Sequence, residues 1–284
     1  MEKKRIFVIG GPTAGGKSAL SIRLAQKIGG EIVNGDAVQV YKDLRILSAR
    51  PSIEDEKLIP HHLFGYVDCW TNPSIMDWIQ QVEKVVQQID IPIVVGGTGM
   101  YLDALVNGIS PIPDVPPEVR VLARKTPLEE VIRKVKNCPF TDPQRLRRAY
   151  EVQLATGKTL AYFQKLPKKK FVEADFEEII VLPDREKVYA SCEQRFKQME
   201  AEGAIEEVID LMKKNPKGGV LKAIGVREIS AYIAGAISKE QMEQEVITST
   251  RQYAKRQMTW FRHHGNPKIV VTDPKEINLE KITK

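Results

Sequence analysis

The sequence predicts an α/β fold, in which a parallel sheet carries helices on both faces and a small helical insertion interrupts the core. The first observation is an alternation of patterns. Short apolar runs at 6–9, 31–34 and 91–95 predict strands, and segments of helical periodicity at 18–28 and 75–89 alternate with them. Such alternation is typical of parallel sheets with both faces covered. Because ligands of these sheets bind beyond the carboxyl ends of the strands, polar residues at those ends are candidates for a site.

The second observation is a change of amino-acid composition near residue 111. Four prolines between 111 and 117 predict a stiff linker, and basic helical stretches follow at 127–136 and 143–156. Strand character then returns near 177, followed by long helical segments. We therefore predict an α/β core formed by residues 1–113 and 173–284, and a basic helical insertion domain at 114–172.

Charge is concentrated in this insertion. The chain of 284 residues has a net charge of +6, and residues 120–170 contain 14 Lys or Arg against 4 Asp or Glu. An excess of positive charge in one segment is expected where a protein faces a polyanion such as RNA. The alternative is a solvated helical surface without a partner.

Several classes of protein are excluded by composition. No apolar run approaches the roughly 20 residues that span a bilayer, and the basic N-terminus leads into a strand pattern instead of a signal peptide. The scattered cysteines Cys69, Cys138 and Cys192 indicate neither a disulfide framework nor a zinc finger. We expect a cytoplasmic protein without a membrane partner, and a monomer.

The most specific motif is a P-loop directly after the first predicted strand. The pattern G-x-x-x-x-G-K-S is matched by Gly11, Pro12, Thr13, Ala14, Gly15, Gly16, Lys17 and Ser18. In this context the backbone N–H groups cradle phosphate oxygens, Lys17 adds a positive charge and the Ser18 hydroxyl can bind Mg²⁺. A glycine-rich turn without function is the alternative. The core is therefore predicted to be P-loop NTPase-like.

Two further polar positions follow predicted strands. Asp36 stands at the end of the second strand, where it could act as a general base, bind magnesium or simply cap the next segment. The strand at 91–95 ends in Gly-Gly-Thr98, without the acid that P-loop NTPases use to hold their metal, which weakens a kinase or ATPase interpretation. The P-loop, Asp36 and Thr98 are predicted to converge on one cleft.

The C-terminal segment 250–262 combines bases with aromatic residues and contains no acid: Arg251, Lys255, Arg256, Arg262, Tyr253, Trp260 and Phe261. Bases bind phosphates and aromatic rings stack on unpaired nucleobases, so contact with RNA is one interpretation. An amphipathic helix with its rings in the core is the other, and is favoured for Trp260. The histidine pairs at 61–62 and 263–264 do not predict a metal site, because adjacent residues point in different directions.

Taken together, these motifs resemble the tRNA dimethylallyltransferase family over nearly the whole chain. The matching segments are Gly-Pro-Thr-Ala-Gly-Gly-Lys-Ser at 11–18, Asp36 with Gln39-Val-Tyr41, Pro60-His-His-Leu63, Val95-Gly-Gly-Thr98 with Tyr101, Pro117-Glu-Val-Arg120, Asp142-Pro-Gln-Arg-Leu-Arg-Arg148, Ala223-Ile-Gly-Val-Arg227 and 250–262. The resemblance implies transfer of a dimethylallyl group from dimethylallyl diphosphate to N6 of the adenosine that follows the tRNA anticodon.

The resemblance also implies roles for individual residues. Asp36 would accept the N6 proton, Thr98 would contact the flipped adenosine or the leaving oxygen, and Arg227 would join the P-loop in holding the diphosphate with Mg²⁺ at Ser18. The implied contacts to the anticodon stem-loop are Asp36, Ala37, Val38, Gln39, Thr98, Arg120, Gln144, Arg145, Leu146, Arg147, Arg148, Lys255, Arg256 and Arg262.

Some positions depart from the family pattern. Ala37 replaces the usual serine after the aspartate, Ser48-Ala-Arg-Pro51 stands where Gly-Thr-Ala-Lys-Pro is usual, and the segment between Arg120 and Asp142 is short. The alternatives are an adenylate isopentenyltransferase that acts on free AMP, a P-loop small-molecule kinase, and a tRNA-binding protein without activity. A free nucleotide would not require the basic insertion, and retention of Lys17 and Asp36 argues against an inactive protein.

Overall fold

The computed structural model describes residues 3–135, 138–265 and 267–283, and within these ranges the chain forms one parallel six-stranded sheet. The strands are β1 (Arg5–Gly10), β2 (Glu31–Asn34), β3 (His61–His62), β4 (Pro92–Gly96), β5 (Asp175–Val181) and β6 (Ile269–Val271), in the order β3-β2-β4-β1-β5-β6. The helices are α1 (Lys17–Ile28), α2 (Ile53–Leu58), α3 (Ile75–Gln88), α4 (Gly99–Asn107), α5 (Pro117–Lys125), α6 (Leu128–Lys134), α7 (Pro143–Thr156), α8 (Leu160–Gln164), α9 (Arg185–Ala201), α10 (Ala204–Lys213), α11 (Val226–Ile233), α12 (Lys239–His263) and α13 (Glu280–Thr283). The prediction of a P-loop NTPase-like parallel sheet with helices is confirmed.

The central strands are buried apolar runs, as parallel strands covered on both faces require. β1 pairs with β4 on one side and β5 on the other, with Phe7 opposite Ile93 in the first ladder. Phe7 and Ile9 pack with Leu20 and Leu24 of α1 in one apolar cluster. This packing fixes α1 directly behind the loop that leaves β1.

A buried hydrogen bond joins α3 to the last residue of β2. The indole N–H of Trp78, a fully buried residue of α3, donates to the carbonyl oxygen of Asn34 at 2.9 Å. The start of α3 is fixed by a capping box, in which Ser74 and Asp77 exchange side-chain and backbone hydrogen bonds. These contacts fix Asn34, the last residue of β2. Asp36 follows Asn34 by two residues in the sequence.

The chain divides into two compact units, one of which spans residues 107–170 and contains helices α5 to α8. Its core has two apolar clusters, one formed around Ala123, Val131 and Tyr150 and the other around Val152 and Phe163. The unit begins seven residues earlier and ends two residues earlier than the predicted insertion at 114–172. The reason is a pair of backbone hydrogen bonds between residues 109 and 169, at 3.0 and 2.9 Å, which ties both of its chain ends together.

Two elements of the sheet were not predicted. β3 contains only two residues, and β6 contains three residues that alternate between partly buried, exposed and buried positions. Such short strands have too few residues to produce a pattern. In the described residues, no helix combines the length and the apolar character that crossing a membrane requires.

Candidate active site

A cavity of about 590 Å³ lies at the carboxyl ends of β1, β2 and β4. This volume falls in the range of small-molecule sites. Its walls come from the P-loop, from the loops after β2 and β4, and from α9 and α12. The sequence predicts convergence of the P-loop and Asp36 at this edge of the sheet, and both line the cavity.

The P-loop turns sharply between β1 and α1. Gly11 has φ of +151°, and a Cβ at this position would lie 2.3 Å from the carbonyl oxygen of Val181. Thr13 to Ser18 line the cavity, whereas Gly11 and Pro12 form the turn behind it. The Ser18 hydroxyl has no hydrogen-bond partner among the described residues and stands in the first turn of α1. Both its chemistry and its position therefore fit a ligand of Mg²⁺ that is bound together with a diphosphate.

Lys17 is held over the loop by its own backbone. Its ammonium group donates to the carbonyl oxygen of Pro12 at 2.6 Å. Burial lowers the pKa of Lys17 to about 8, while Asp36 opposes this shift and Arg195 adds to it. An anionic ligand would supply the countercharge that this half-buried ammonium group lacks.

Asp36 is oriented by the residues around it. One carboxylate oxygen accepts a hydrogen bond from the backbone N–H of Val38 at 2.9 Å. The side chain of Asn34 accepts from the N–H of Asp36 at 2.8 Å and donates to its carbonyl oxygen at 3.0 Å. The second carboxylate oxygen lies 3.2 Å from the position that a Cβ on Gly97 would occupy. One oxygen is therefore fixed by the backbone, and the other faces the loop after β4.

Thr98 connects the loops after β2 and β4. Its hydroxyl oxygen accepts a hydrogen bond from the backbone N–H of Ala37 at 3.0 Å, and the side chain of Tyr253 on α12 lies close to it. Burial raises the pKa of Tyr253, and the charge of Asp36 adds to this effect, so the phenol remains a hydrogen-bond donor. Thr98 does not itself line the cavity, although Asp36, Val38 and Gln39 do.

Gln257 is a functional candidate that the sequence analysis does not identify. It is a buried polar residue, 5% exposed, on α12. Its amide oxygen accepts from the N–H of Thr13 at 2.8 Å, and its amide nitrogen donates to the carbonyl oxygen of Gly97 at 2.8 Å. One side chain therefore joins the P-loop to the loop after β4.

Arg195 on α9 supplies a cation that the sequence analysis also misses. One guanidinium nitrogen donates to the Thr13 hydroxyl oxygen at 3.3 Å, and the residue lines the cavity. No acidic side chain pairs with it in the described part of the chain. Burial lowers the pKa of Arg195, but a guanidinium keeps its charge in proteins. A partly buried cation beside a P-loop, with no acidic partner among the described residues, is a strong candidate for binding a phosphate oxygen.

Arg227, in contrast, is not where the sequence analysis expects it. Its side chain is 80% exposed, its guanidinium lies 3.4 Å from a carboxylate oxygen of the neighbouring Glu228, and it does not line the cavity. The cations that line it are Lys17, Arg195, Lys222 and Arg256. A motif fixes a position in the chain, but the rotation of α11 decides which of its residues face the cavity.

The remaining wall of the cavity is apolar. It is formed by Leu47, Cys192, Phe196, Met199, Ile224 and Val246. Phe196 and Val246 belong to the large apolar cluster that joins α9, α10, α11 and α12. A short hydrocarbon chain would be shielded from water by this wall, next to the polar P-loop.

The basic residues of α12 divide into two groups. Lys255, Arg256 and Arg262 are exposed, as contact with RNA requires. Arg251 pairs with Glu193 at 3.0 Å.

Phe261 is buried, and a Cβ on Gly10 would lie 2.5 Å from its ring, so it packs against β1 instead of being available for stacking.

The predicted RNA contacts in the helical unit also fall into two groups, exposed residues and residues that pack inside the unit. Arg120, Gln144 and Arg145 are exposed, and Arg148 pairs with Glu151 at 3.2 Å. Two residues of the same motif have structural roles instead. Leu146, 6% exposed, packs in the core of the unit. Arg147 donates to the carbonyl oxygens of Ala123 and Thr126, at 2.7 and 2.8 Å, at the end of α5.

No group of three or more His, Cys, Asp or Glu side chains within the described ranges is placed to hold a metal ion. The parallel sheet, the P-loop and the cavity define a P-loop enzyme whose strand β4 is followed by Gly97 and Thr98 instead of the acid that phosphoryl-transfer enzymes use.

Comparison with known proteins identifies the family. A family model described as IPP transferase matches residues 39–264, and a second, described as isopentenyl transferase, matches residues 4–59. A tRNA dimethylallyltransferase of Zymomonas mobilis is 40% identical over 99% of this chain and 95% of its own. One of Allorhizobium ampelinum is 39% identical over 94% of each. The chain belongs to the tRNA dimethylallyltransferase (IPP transferase) family.

Solved structures agree with this assignment. A tRNA isopentenylpyrophosphate transferase from Staphylococcus epidermidis has a TM-score of 0.70 and 27% identity, covering 98% of this chain and 96% of its own. A eukaryotic dimethylallyltransferase acting on tRNA has a TM-score of 0.80 and 27% identity, covering 96% of this chain and 75% of its own.

Proposed function

We propose that this protein transfers a dimethylallyl group from dimethylallyl diphosphate to N6 of the adenosine 3′-adjacent to the tRNA anticodon. The observation that carries this proposal is the cavity itself. A loop that binds anions, a carboxylate and an apolar wall meet in one space of about 590 Å³. These are the features needed to hold a diphosphate, accept a proton and enclose a short hydrocarbon group.

The diphosphate would lie against the P-loop. The backbone N–H groups at the start of α1 point towards an anion, and the ammonium of Lys17 and the guanidinium of Arg195 add positive charge. The Ser18 hydroxyl would hold Mg²⁺ against the same diphosphate. When bound, Mg²⁺ would neutralise the negative charge that develops on the leaving oxygens.

Asp36 would act as the general base. An exocyclic amine of adenine is a weak nucleophile because its lone pair is delocalised into the ring. As the bond between N6 and C1 of the dimethylallyl group forms, the bond between C1 and the diphosphate oxygen breaks, and the diphosphate leaves with the electron pair. The N6 proton passes to the free carboxylate oxygen of Asp36, the one that no backbone N–H holds.

Two groups of polar and basic side chains would contact the phosphates of the tRNA. The exposed residues of α12 are Lys255, Arg256 and Arg262. In the helical unit we retain Arg120, Gln144, Arg145 and Arg148, and we exclude Leu146 and Arg147 because their side chains are committed to the unit's own packing. The target adenosine would leave its stack to enter the cavity, as other modified bases do. A tRNA substrate would place the reaction in the cytoplasm.

The proposal is tested with labelled dimethylallyl diphosphate and Mg²⁺, offered together with an unmodified tRNA or with AMP. We expect label in tRNA and none in AMP. Label in AMP would assign the protein to the free-nucleotide enzymes. Transfer of the γ-phosphoryl group of ATP to a small-molecule acceptor, with formation of ADP and with label in neither tRNA nor AMP, would favour a kinase.

The role of Asp36 is tested by Asp36→Ala, with the exposed Asp210→Ala as control. We expect transfer to fall by about 10²- to 10⁴-fold, as loss of a general base does, while the affinity for the diphosphate is retained. Normal turnover by Asp36→Ala would contradict the assignment of the base.

A matched pair of variants separates the two candidate arginines. We expect Arg195→Ala to weaken diphosphate binding by at least about tenfold, because it removes a charge-assisted hydrogen bond. Arg227→Ala, on the exposed side of α11, is expected to change this affinity by less than about twofold. The reverse result would restore Arg227 as the diphosphate ligand.

A further inference from the structure

One face of α12 runs along the loop that follows β4. Tyr253, Gln257, Trp260 and His264 are spaced by four, three and four residues, which places them on one side of the helix and its C-terminal end. Tyr253 lines the cavity close to Thr98, and Gln257 donates to the carbonyl oxygen of Gly97. The series therefore begins at the cavity.

Trp260 continues this series outside the cavity. A Cβ on Gly99 would lie 2.0 Å from the indole nitrogen of Trp260, so the edge of the indole packs directly on the backbone at the start of α4. Gly99 immediately follows Thr98. The half-buried indole is thus positioned next to the residue that borders the active site.

His264 is stacked on the outer side of this indole. The two ring centroids are 3.8 Å apart and the ring planes differ by 2°. A ring nitrogen, Nδ1, lies 3.0 Å from the carbonyl oxygen of Trp260, which holds the imidazole in this orientation. His264 is exposed, and the stack with Trp260 is its only ring contact in the part of the chain that the structure describes. The imidazole ring is therefore accessible to solvent.

The surroundings of the ring pair favour a polyanion. Lys255, Arg256 and Arg262 are all exposed on the same stretch of the chain. No acid occurs in the chain between residues 246 and 272, although the carboxylate of Glu178 on β5 lies 3.0 Å from the position that a Cβ on Gly265 would occupy. Proteins commonly bind single-stranded RNA with a flat aromatic surface among basic side chains. The aromatic rings stack on a nucleobase, and the cationic side chains bind the phosphates.

We propose that the ring pair Trp260–His264 is a stacking platform for an unpaired nucleobase that neighbours the adenosine in the cavity. The occupant is a base of the single-stranded loop, which stacks on the outer face of His264. The platform would hold the RNA next to the active site after the target adenosine has left its own stack. This inference rests on the proposed function, since it takes an RNA loop as the substrate.

The test uses an anticodon stem-loop in which 2-aminopurine replaces the base on either side of the target adenosine. Stacking quenches the fluorescence of 2-aminopurine. We expect quenching at one of these two positions with the wild-type protein, and loss of that quenching with His264→Ala. His263→Ala, which removes the exposed and unstacked neighbour, is the matched control and should leave the quenching unchanged.

Kinetics give a second measurement. We expect His264→Ala to raise the KM for the stem-loop by about 5- to 100-fold, the range that a lost base stack produces. The kcat at saturating RNA and the KM for dimethylallyl diphosphate should change by less than about twofold, since neither depends on this ring. His264→Phe restores a flat ring and should restore the KM.

Two outcomes would overturn the platform: equal effects of His264→Ala and His263→Ala, or quenching that persists in His264→Ala. Failure of the proposed function has a different signature. The wild-type protein would then transfer no label to the stem-loop, while the fluorescence titration would still report whether His264 stacks on a bound RNA base.

Discussion

The amide oxygen of Gln257 accepts a hydrogen bond from the backbone N–H of Thr13 at 2.8 Å, so a residue near the C-terminus fixes the conformation of a loop near the N-terminus. The same side chain donates to the carbonyl oxygen of Gly97. The relative position of the anion-binding loop and the loop that borders Asp36 therefore depends on one buried amide group.

We expect Gln257→Leu to reduce the free energy of unfolding by about 1–3 kcal/mol, because it leaves a backbone donor and a backbone acceptor without partners. Transfer activity should fall further than stability alone explains, since both loops of the site lose their connection. Chemical denaturation and the transfer assay at a temperature where the variant is folded measure the two effects. Gln252→Leu changes an exposed glutamine of the same helix and should affect neither.

The pKa of Lys17 predicts how the affinity for a diphosphate depends on pH. Burial places this pKa at about 8 in the free protein, and a bound anion would raise it. Below about pH 8 the ammonium is charged in both states and adds no pH dependence. Above it, binding requires uptake of a proton, so affinity should fall with rising pH by at most about tenfold per unit.

This pH dependence is measured by calorimetric titration with dimethylallyl diphosphate between pH 7 and pH 10 (roughly spanning the pKa above) in buffers of different ionisation enthalpy. Lys17→Arg carries a permanent charge and should lose this component while keeping any contribution from the ligand itself. An identical slope in the wild type and in Lys17→Arg would show that Lys17 is charged throughout.

Glu207 fixes the loop that carries Leu47. Its carboxylate accepts hydrogen bonds from the backbone N–H groups of Arg45, Ile46 and Leu47, at 2.5, 2.8 and 2.9 Å. We expect Glu207→Gln to reduce the free energy of unfolding by about 1–3 kcal/mol, because its amide group directs a donor at a backbone donor. Since Leu47 lines the apolar wall, the KM for dimethylallyl diphosphate should rise as well. The exposed Glu206→Gln is the control, and equal effects of the two variants would contradict this role.

Gly96 allows β4 to end close to the loop after β2. A Cβ at this position would lie 2.0 Å from the carbonyl oxygen of Gly35, which is backbone and cannot move aside. We expect Gly96→Ala to destabilise the protein by more than about 3 kcal/mol, at the severe end of single substitutions. Gly29→Ala, where no atom lies within 4 Å and only the positive φ of 69° is unfavourable, should cost about 1 kcal/mol. Thermal unfolding of both variants compares steric overlap with backbone strain.

The parts of the site that follow strands were predictable from sequence. Apolar runs identify β1, β2 and β4, and the carboxyl ends of parallel strands meet at one edge, so the P-loop and Asp36 had to approach each other. Asn34 and Trp78, which hold Asp36 in place, gave no such signal. Their role depends on a hydrogen bond between residues 44 positions apart.

The contributions of the long helices were not predictable in the same way. Arg195 and Gln257 lie on helices α9 and α12, where the helical period distinguishes one face from another but does not show which face meets a cavity. The family resemblance implied Arg227 as a diphosphate ligand and gave no sign of Arg195. The same ambiguity affected Leu146 and Arg147. They belong to a basic motif, but both side chains make contacts inside the helical unit.

The hydrogen bonds between residues 109 and 169 have a consequence for how such an enzyme can change over evolution. Because the two chain ends of the helical unit leave it side by side, the unit can be exchanged, lengthened or shortened without separating the strands that precede and follow it. A replacement would need only a similar spacing of its ends, and closing a loop of different length costs little, about 0.6 kcal/mol per doubling. The helical unit can therefore diversify as a module while the sheet and its loops stay the same.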